Sequence, residues 1–369
     1  MEAAPLGFPN PAVPSRQHWA TYLGIAAAGC MAAAVCAPDV GRAADTGGGR
    51  PWVLAGEPVT GKEAEEFSGA ACSSNRRCLL VGDEGRRGRF FTLDESQNEP
   101  PKIVVGTTID FVPAEGDEEA DIEAAAFDRG RFYAVGSHGT SRKKKDHQPS
   151  RYSAYLVGVD GRVTASGGIA RIAASVEGLR DAFCTGTHTA AGGQPCPNLQ
   201  EGGANIEGLA VRDGRMYVGF RAPLHADSQN PSQGRRAFVL EISEEAVFGR
   251  GAPDARVWHL GLGIDELGRE RGIRDLAAVA DGFLVLAGPS LPEDEKGEKA
   301  VGGGEVFFWP GPGDAPAIHL RPVGLRREDV KPEVLLVLGE DAAAYRVIVM
   351  HDGVKEGAPT EYRVEKPRR

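Results

Sequence analysis

Residues 205–221, NIEGLAVRDGRMYVGFR, contain two short apolar strands joined by the pair Asp213-Gly214. Such a pair between strands rich in Val, Tyr and Phe is a strong signal for a tight β-hairpin turn. Weaker copies of the stretch recur along the chain, so it is the unit of an internal repeat. The sequence therefore predicts a fold assembled from repeated antiparallel hairpins.

The repeat occurs five times at irregular spacing. Aligning the copies places a small or acidic residue at the second position of each: Gly69, Glu123, Glu207, Asp275 and Glu333. The first four copies each supply four strands, and the last strand of the second copy is expected over Val163–Ile172. The fifth copy supplies only three, and Trp52–Ala55 is expected to add the missing outer strand. We predict an all-β fold, a β-propeller of five four-stranded blades closed by an N-terminal strand, with six blades as the alternative.

Composition limits the classes of partner. The chain has 369 residues, 41% of them hydrophobic, and a formal net charge of -10. This charge argues against a nucleic-acid partner, which would require a basic face. The expected partner is a small-molecule ligand, phosphorylated or not, or an extracytoplasmic protein, and the chain is expected to be a monomer.

The N-terminal region predicts export. Residues 22–37 form an unbroken run of small and apolar residues that is typical of a signal-peptide core. We assign residues 1–37 to a signal peptide, 38–50 to a flexible linker and 51–369 to a single propeller domain. The chain would then be periplasmic or secreted, without a membrane span after cleavage. An uncleaved anchor and a lipid anchor through Cys30 are the alternatives.

Four cysteines remain after the predicted leader, and an even number in an exported chain favours disulfides. Cys72 and Cys78 flank a turn and are predicted to pair across a hairpin. Cys184 and Cys196 would then close a loop rich in Gly, Thr and Pro. Spacings without the usual C-x2-C pattern argue against the alternative of a zinc site.

The acidic residues of the repeat are the strongest functional signal. Antiparallel pairing would place them around one mouth of the central channel, together with several long polar insertions. Two carboxylates about 6 Å apart repel by roughly 3 kcal/mol at an effective dielectric of 20, so the ring requires a counter-charge or protons. Oxygen ligands suit Ca²⁺, with Mg²⁺ or Mn²⁺ as alternatives. The predicted metal ligands are Glu123, Glu207, Asp275 and Glu333.

The alternative is that these acids cap turns or pair with neighbouring arginines. Candidate substrate-binding residues near the same mouth are Arg142, Arg221, Arg274 and His138. Ser137 lacks the G-x-S-x-G context of a nucleophile elbow, so catalysis through its hydroxyl is not expected.

Four segments carry a resemblance to a known family: residues 121–125, 131–139, 205–209 and 272–276. They resemble the bacterial domain-of-unknown-function family numbered 3616 over roughly residues 51–364, and this family implies no activity. The turn at Glu207-Gly208-Leu209 is also similar to turns of esterase-like phytases and, more distantly, of calcium-dependent propeller nucleotidases. Those families imply metal-assisted phosphoester hydrolysis with carboxylates as Ca²⁺ ligands.

Two functions follow from these observations. The first is an exported propeller that binds a ligand or partner at a loop-rich face with a carboxylate-lined channel mouth. The second is a metal-dependent phosphoesterase in which the acids hold a cation, Arg142 and Arg221 bind phosphate, and a metal-bound water attacks. The sequence leaves open whether the protein is an enzyme.

Overall fold

A computed structural model of the chain describes residues 48–96, 99–113, 119–140, 147–166, 168–184, 195–226, 234–249, 252, 254–291, 303–313, 315–327 and 330–368. The predicted signal peptide, Cys30, most of the predicted linker and Arg142 lie outside these residues. No helix in the described part of the chain is long and apolar enough to cross a membrane.

The described residues contain 21 strands, which we number in chain order. Two short ones come first, β1 (Arg50–Pro51) and β2 (Val53–Gly56). The first blade has β3 (Phe67–Cys72), β4 (Arg77–Gly82), β5 (Arg87–Asp94) and β6 (Lys102–Asp110). The second has β7 (Ile122–Asp128), β8 (Arg131–Gly136), β9 (Ala154–Gly158) and β10 (Val163–Ser166).

The third blade has β11 (Asn205–Arg212), β12 (Arg215–His225), β13 (Arg236–Ser243) and β14 (Ala255–Leu260). The fourth has β15 (Arg271–Val279), β16 (Gly282–Pro289), β17 (Gly304–Trp309) and β18 (Ile318–Val323). The fifth has β19 (Lys331–Glu340), β20 (Ala344–Asp352) and β21 (Thr360–Glu365).

Strands that follow one another within a blade pair antiparallel, from the innermost strand outward. The innermost strands β3, β7, β11, β15 and β19 contact one another in that order, and β19 returns to contact β3. The predicted five-bladed β-propeller is therefore confirmed. The hairpin from which the fold was predicted has φ 53° at Asp213 and 76° at Gly214. Positive φ at both central residues is what a type I′ turn requires.

The ring is closed by an N-terminal strand, as predicted, but not by the predicted residues. Arg50 and Pro51 of β1 pair with Glu361 and Thr360 of β21 and so complete the fifth blade. Strand β2 instead runs parallel to β6 of the first blade. Trp52, between the two strands, is only 4% exposed and packs in the core that the first and fifth blades share. Because the indole of Trp52 is buried between the two blades, the chain passes there from the fifth blade to the first. The closing strand therefore ends at Pro51, before the predicted residues begin.

The hydrophobic core consists of five clusters, each between two neighbouring blades. The cluster between the fourth and fifth blades, for example, joins Leu284 and Leu286 to Tyr345 and Val347. Every sheet is thus covered on both faces. This explains why the middle strands carry nearly continuous apolar runs rather than alternating ones, since both side-chain directions are buried.

Two short helices interrupt the strand pattern, α1 (Gly168–Ala173) and α2 (Glu244–Phe248). The predicted strand over Val163–Ile172 is wrong beyond Ser166, because Ile169 and Ile172 lie on one face of α1 and enter the core beside the second and third blades. The second helix, α2, directly follows β13. Its N-terminus is capped by the Ser243 hydroxyl, which accepts from the Ala246 amide at 3.2 Å.

Both predicted disulfides are present. Cys72 and Cys78 lie directly opposite each other in the β3–β4 pair. Cys184 and Cys196 are joined within the core beside the second and third blades, where both are nearly fully buried. Disulfides of this kind are typical of proteins from oxidising compartments.

Candidate functional site

Each innermost strand contains a β-bulge near its first residue. The pairing with the second strand skips one residue in every blade, and we call these five residues the ring positions: Ser68, Glu123, Glu207, Arg274 and Glu333. Bulges re-aim side chains and recur beside functional sites. Four of the five residues, all except Arg274, line one cavity of about 600 Å³.

The ring positions differ from the sequence alignment in two blades. Gly69 and Asp275 were expected to be equivalent to the three glutamates, but each lies one residue beyond its ring position. Two copies of a short sequence pattern can be aligned with an error of one residue. The β-bulge instead identifies the equivalent residue of each blade from its pairing with the second strand. The fourth blade therefore contributes an arginine to the ring where an acid was expected.

Asp275 is withdrawn from the cavity. Its carboxylate accepts from the amides of Leu276 and Leu335, both at 2.7 Å, and the residue is 1% exposed. Burial raises the pKa of Asp275 well above its usual value, although the two amides act in the opposite direction. Asp275 thus joins the innermost strands of two neighbouring blades.

Arg274 links the ring positions on either side of it. Its Nη1 donates to Glu207 at 3.1 Å and to Glu333 at 2.6 Å, and its Nη2 donates to the Pro289 carbonyl at 2.8 Å. Burial disfavours the charged guanidinium, but Glu207 and Glu333 outweigh it and raise the pKa of Arg274. The fourth blade therefore supplies a built-in cation for the acids of the third and fifth.

Glu207 has a second arginine and an amide as partners. Its Oε1 accepts from Arg221 at 2.9 Å and from the Asn205 side chain at 2.6 Å. Burial alone would raise the pKa of Glu207, but Arg221 and Arg274 hold it below its usual value. Arg221 also donates through Nε to the Ser290 carbonyl at 2.8 Å, and its Nη2 has no acceptor among the described residues.

Glu333 behaves differently despite its short bond to Arg274. Burial raises the pKa of Glu333 to about 7, and the attraction of Arg274 does not compensate fully because Glu207 repels the same carboxylate. The Arg274 guanidinium is shared between two acids, so neither receives its whole charge. Beside this pair, Lys331 donates to Asp352 at 2.9 Å, and both side chains line the cavity.

The first and second blades contribute acids with far fewer counter-charges. Here the cavity is lined by Glu66, Asp83, Glu84, Glu119, Asp121 and Glu123. Arg151 is the one cationic lining residue on this side among the described residues, with bonds of 2.9 Å to Asp121 and 3.7 Å to Glu119. We call these six acids the acidic half, and Glu207, Arg221, Arg274 and Glu333 the arginine half.

Asp83 and Glu123 are the least compensated members of the acidic half. Neither side chain has a hydrogen bond or an ion pair with another described residue, and one carboxylate oxygen of Asp83 is buried without a donor. Burial and the charge of Asp121 raise the pKa of Asp83 to about 8. The same causes raise the pKa of Glu123 well above its usual value. At neutral pH this half holds protons or attracts a cation.

His138 does not reach the cavity. It is 1% exposed, and its Nδ1 lies 2.8 Å from the Gly136 carbonyl, between the rings of Tyr152 and Phe183. Burial lowers the pKa of His138 to about 4, so the imidazole is neutral at physiological pH. The neighbouring Ser137 does line the cavity, and its hydroxyl donates to Asp121. The same carboxylate oxygen of Asp121 also accepts from Arg151 at 2.9 Å.

The predicted metal ligands are therefore divided. Glu207 and Glu333 meet at Arg274, Asp275 is bound to backbone amides, and Glu123 faces the cavity on the other side. No group of three or more His, Cys, Asp or Glu side chains in the described part of the chain is arranged to hold a metal ion. Residues free to contribute oxygen ligands are Glu123 and Asp83, with Asp121 beside them.

Sequence reasoning missed part of this site. Glu119, Asp121 and Arg151 were not singled out, although Asp121 and Glu119 precede Glu123 by two and four residues. Both lie before β7, and Asp121 has φ 50°, so the alternation of an extended strand does not predict their position. Arg151 follows a segment outside the described residues, and nothing in the sequence connects it to the acids.

The chain was also compared with known proteins. Residues 67–159 match the model of a family described as a protein of unknown function, DUF3616. This match runs from the start of β3 to just past β9, and it confirms the resemblance over the first blade and three strands of the second, including every acid of the acidic half except Glu66. No curated protein matches the chain. The resemblance to phytases and nucleotidases stays a prediction.

Solved structures show only distant similarity. The Mala s 1 allergen of Malassezia sympodialis is 13% identical, with 81% of this chain and 77% of that chain covered and a TM-score of 0.35. A streptogramin B lyase structure is 9% identical, covers 84% and 86%, and has a TM-score of 0.32. The computationally designed Ika8 protein is 14% identical, covers 86% and 100%, and has a TM-score of 0.30. Similarities at this level carry no argument about function.

Proposed function

We propose that this protein binds a small cationic ligand in the acidic half of the cavity. The observation that carries the proposal is the pair Asp83 and Glu123, two half-buried carboxylates that line the cavity without a charge partner among the described residues. A buried carboxylate is costly unless it is paired or protonated. A bound cation supplies the pairing that the chain itself provides for Glu207 and Glu333.

The charge of the described part of the cavity lining supports the same proposal. Among the described lining residues nine are acidic and three are cationic; the acids are Glu66, Asp83, Glu84, Glu119, Asp121, Glu123, Glu207, Glu333 and Asp352, and the cations are Arg151, Arg221 and Lys331. A concave surface lined by one sign of charge focuses its field and concentrates ions of the opposite sign. Burial, and after it the charge of neighbouring Asp121, raises the pKa of Asp83 to about 8 and that of Glu119 to about 7.

Calcium is the first inorganic cation to test, followed by Mg²⁺ and Mn²⁺. The ligands would be carboxylate oxygens, which suit these hard cations. In this proposal the cation binds at Glu123 and Asp83, because Glu207 and Glu333 are already bound to Arg274 and Asp121 is bound to Arg151. An organic ammonium ion would use the same carboxylates and has ample space in about 600 Å³.

Thermal unfolding of the wild type and two variants tests the proposal. The probes are Ca²⁺, Mg²⁺, Mn²⁺, agmatine and cadaverine, each against chelator-treated protein at pH 7.5. A probe at a hundred times its dissociation constant should stabilise the wild type by roughly 2.7 kcal/mol. Glu123→Gln preserves the shape of the side chain but removes its charge, so it should abolish most of that gain.

The matched control is Glu57→Gln, which removes one charge from an exposed residue away from the cavity. It should respond to the probes as the wild type does. If no cation stabilises the wild type, or if both variants lose the response equally, the cavity is not the binding site and the proposal fails.

Metal-dependent phosphoester hydrolysis is the second candidate function. It is favoured by one observation, the Nη2 of Arg221, which has no acceptor among the described residues and belongs to a residue that lines the cavity. Guanidinium groups bind phosphate oxygens well. The purified protein should then hydrolyse a generic phosphoester substrate with Ca²⁺, Mg²⁺ or Mn²⁺, and Arg221→Lys should lower that rate. Absence of turnover with all three metals removes this candidate and leaves cation binding intact.

We also propose that the protein works outside the cytoplasm. The support is the pair of disulfides, which persist in oxidising compartments, together with the predicted signal peptide in residues outside the described part. Fractionation of cells that express the full chain tests this, and recovery of the protein in the cytoplasm with free thiols would contradict it.

A further inference from the structure

Two arginines of the arginine half have a buried nitrogen without an acceptor among the described residues, Arg221 at Nη2 and Arg274 at Nε, and of these Arg221 lines the cavity. The residue is 3% exposed and lines the cavity. Its Nε is bound to the Ser290 carbonyl and its Nη1 to Glu207. Its Nη2 has no acceptor among the described residues.

A buried guanidinium nitrogen without an acceptor is unusual and costs stability. Buried polar groups are nearly always hydrogen-bonded, and a donor left without an acceptor costs roughly 1–3 kcal/mol, more when it is charged. Neighbouring Arg274 makes this worse, because the two guanidiniums repel and this repulsion adds to the effect of burial in lowering the pKa of Arg221. An anionic oxygen at this wall would relieve both costs.

The cavity therefore has two poles at fixed places in the ring. The uncompensated carboxylates come from the first and second blades, whereas Arg221 comes from the third and Lys331 from the fifth. Between those two lies the fourth blade with Arg274 behind the wall. A ligand that carries only positive charge would contact the carboxylates of the first and second blades and leave Arg221 without an acceptor.

We propose that the ligand is a zwitterion, a small molecule that joins an ammonium or guanidinium group to a carboxylate, as free basic amino acids do. The cationic group binds Glu123 and Asp83 in the acidic half, and the carboxylate accepts from the Nη2 of Arg221. This inference rests on the proposed binding of a cation and specifies the class of ligand. Charge-assisted hydrogen bonds from arginine to carboxylate are strong and directional, so they add selectivity as well as affinity.

Two matched pairs of probes test the inference by calorimetric titration. Arginine is compared with agmatine, and lysine with cadaverine, since each pair differs only in the carboxylate. Attraction to an acidic cavity alone favours agmatine and cadaverine, which carry the larger net positive charge. We expect the opposite order, with each amino acid bound on the order of ten-fold or more tightly than its decarboxylated analogue.

The variant Arg221→Lys assigns the effect to the proposed residue. Lysine retains a positive charge beside Glu207 but lacks the second donor arm of the guanidinium. The variant should lose the preference for arginine over agmatine, measured as the ratio of their two dissociation constants on the same protein. If it does not fold, the double variant Arg221→Gln with Glu207→Gln removes both partners of that ion pair and leaves Glu333 bound to Arg274.

The outcomes separate the two proposals. Agmatine and cadaverine binding as tightly as arginine and lysine would overturn the zwitterion inference while cation binding stands. A preference for the amino acids that persists in both variants would also overturn it, because the carboxylate would then bind elsewhere. If none of the four probes binds, and no metal ion binds either, the proposed function itself fails.

Discussion

Glu123 and Glu207 occupy the same bulge position in adjacent blades, yet the chain treats their charges in opposite ways. Glu207 accepts from Arg221, Arg274 and Asn205, and its pKa is lowered despite burial. Glu123 has no such partner among the described residues, and burial raises its pKa. Equivalent backbone geometry therefore supports a closed ion-pair network in the arginine half and an open anionic wall in the acidic half.

The difference shows which half has spare binding capacity. A carboxylate that already has two guanidinium partners gains little from another cation and would have to give up a bond to accept it. A carboxylate whose pKa is raised by burial and by acidic neighbours gains a charge partner when a cation binds, in exchange for its proton. Function in this propeller is therefore expected where the repeat lacks its counter-charges, not where the repeat pattern is strongest.

The largest effect is expected from removing the shared cation of the arginine half. Arg274→Met leaves Glu207 and Glu333 facing each other without their common partner. Breaking a buried ion pair on one side typically costs about 3–5 kcal/mol, because a buried charge is left uncompensated. Denaturant unfolding at pH 7 should show a loss of this size.

The exposed Arg87→Met serves as the control for Arg274→Met, because its ion pairs of 3.6 and 3.9 Å lie at the surface. It should change stability by less than about 1 kcal/mol. Equal effects of the two substitutions would mean that the arginine half is not a tightly bound network.

A smaller loss is expected from Glu207→Gln, which keeps the shape of the side chain and removes its charge. Arg274 retains Glu333, and the glutamine oxygen can still accept a hydrogen bond, so we expect a cost of roughly 1.5–3 kcal/mol. The cost should be the same with calcium and with chelator, because this carboxylate is occupied by arginines. A calcium-dependent difference in the melting temperature of the wild type that disappears in Glu207→Gln would instead place the metal in the arginine half.

The sequence predicted the strands and turns of the propeller better than it predicted the charge network of the cavity. Strands and hairpins followed from local signals, such as Asp213-Gly214 between two apolar runs, because a turn and its flanking strands are encoded within a few neighbouring residues. The closing strand was placed two residues late, and α1 was assigned to a strand. In both cases burial of particular side chains, Trp52 and Ile169, decided the path of the chain.

The charge network depended on contacts that no local pattern encodes. Arg274 is 67 residues from Glu207 and 59 from Glu333, and only closure of the ring brings the three together. The one-residue error at Asp275 had the same origin, since the bulge is visible only in the pairing with β16. The sequence therefore predicted that the mouth is acidic, but not which acids are neutralised.

The pH dependence of stability distinguishes the acidic half from the arginine half. The pKa of Asp83 is raised from 3.8 to about 8, so the folded state binds more protons than the unfolded state between these values. Stability should therefore fall as the pH rises through this window. Asp83→Asn removes the group, so the pH dependence between 5 and 8 should become shallower.

At pH 8 the same variant should be more stable than the wild type by about 1–2 kcal/mol, a value reduced from the full shift because Asp83 is partly exposed. The exposed Asp110→Asn is the control and should leave the curve unchanged. A steeper curve in Asp83→Asn, or lower stability at pH 8, would contradict the assignment of Asp83 as an unpaired carboxylate.

The smallest effect is expected at the ring position without charge. The Ser68 hydroxyl donates to the Ile122 carbonyl at 2.5 Å and so joins the innermost strands of the first two blades, between Glu333 on one side and Glu123 on the other. Ser68→Ala removes one neutral hydrogen bond and should cost about 1 kcal/mol in unfolding experiments. Since no charge changes, cation affinity measured by titration should stay within about two-fold of the wild type, given that 1.4 kcal/mol corresponds to ten-fold. Loss of cation binding in Ser68→Ala, at unchanged stability, would show that the bulge geometry of the first blade determines the site rather than the uncompensated charge of its neighbours.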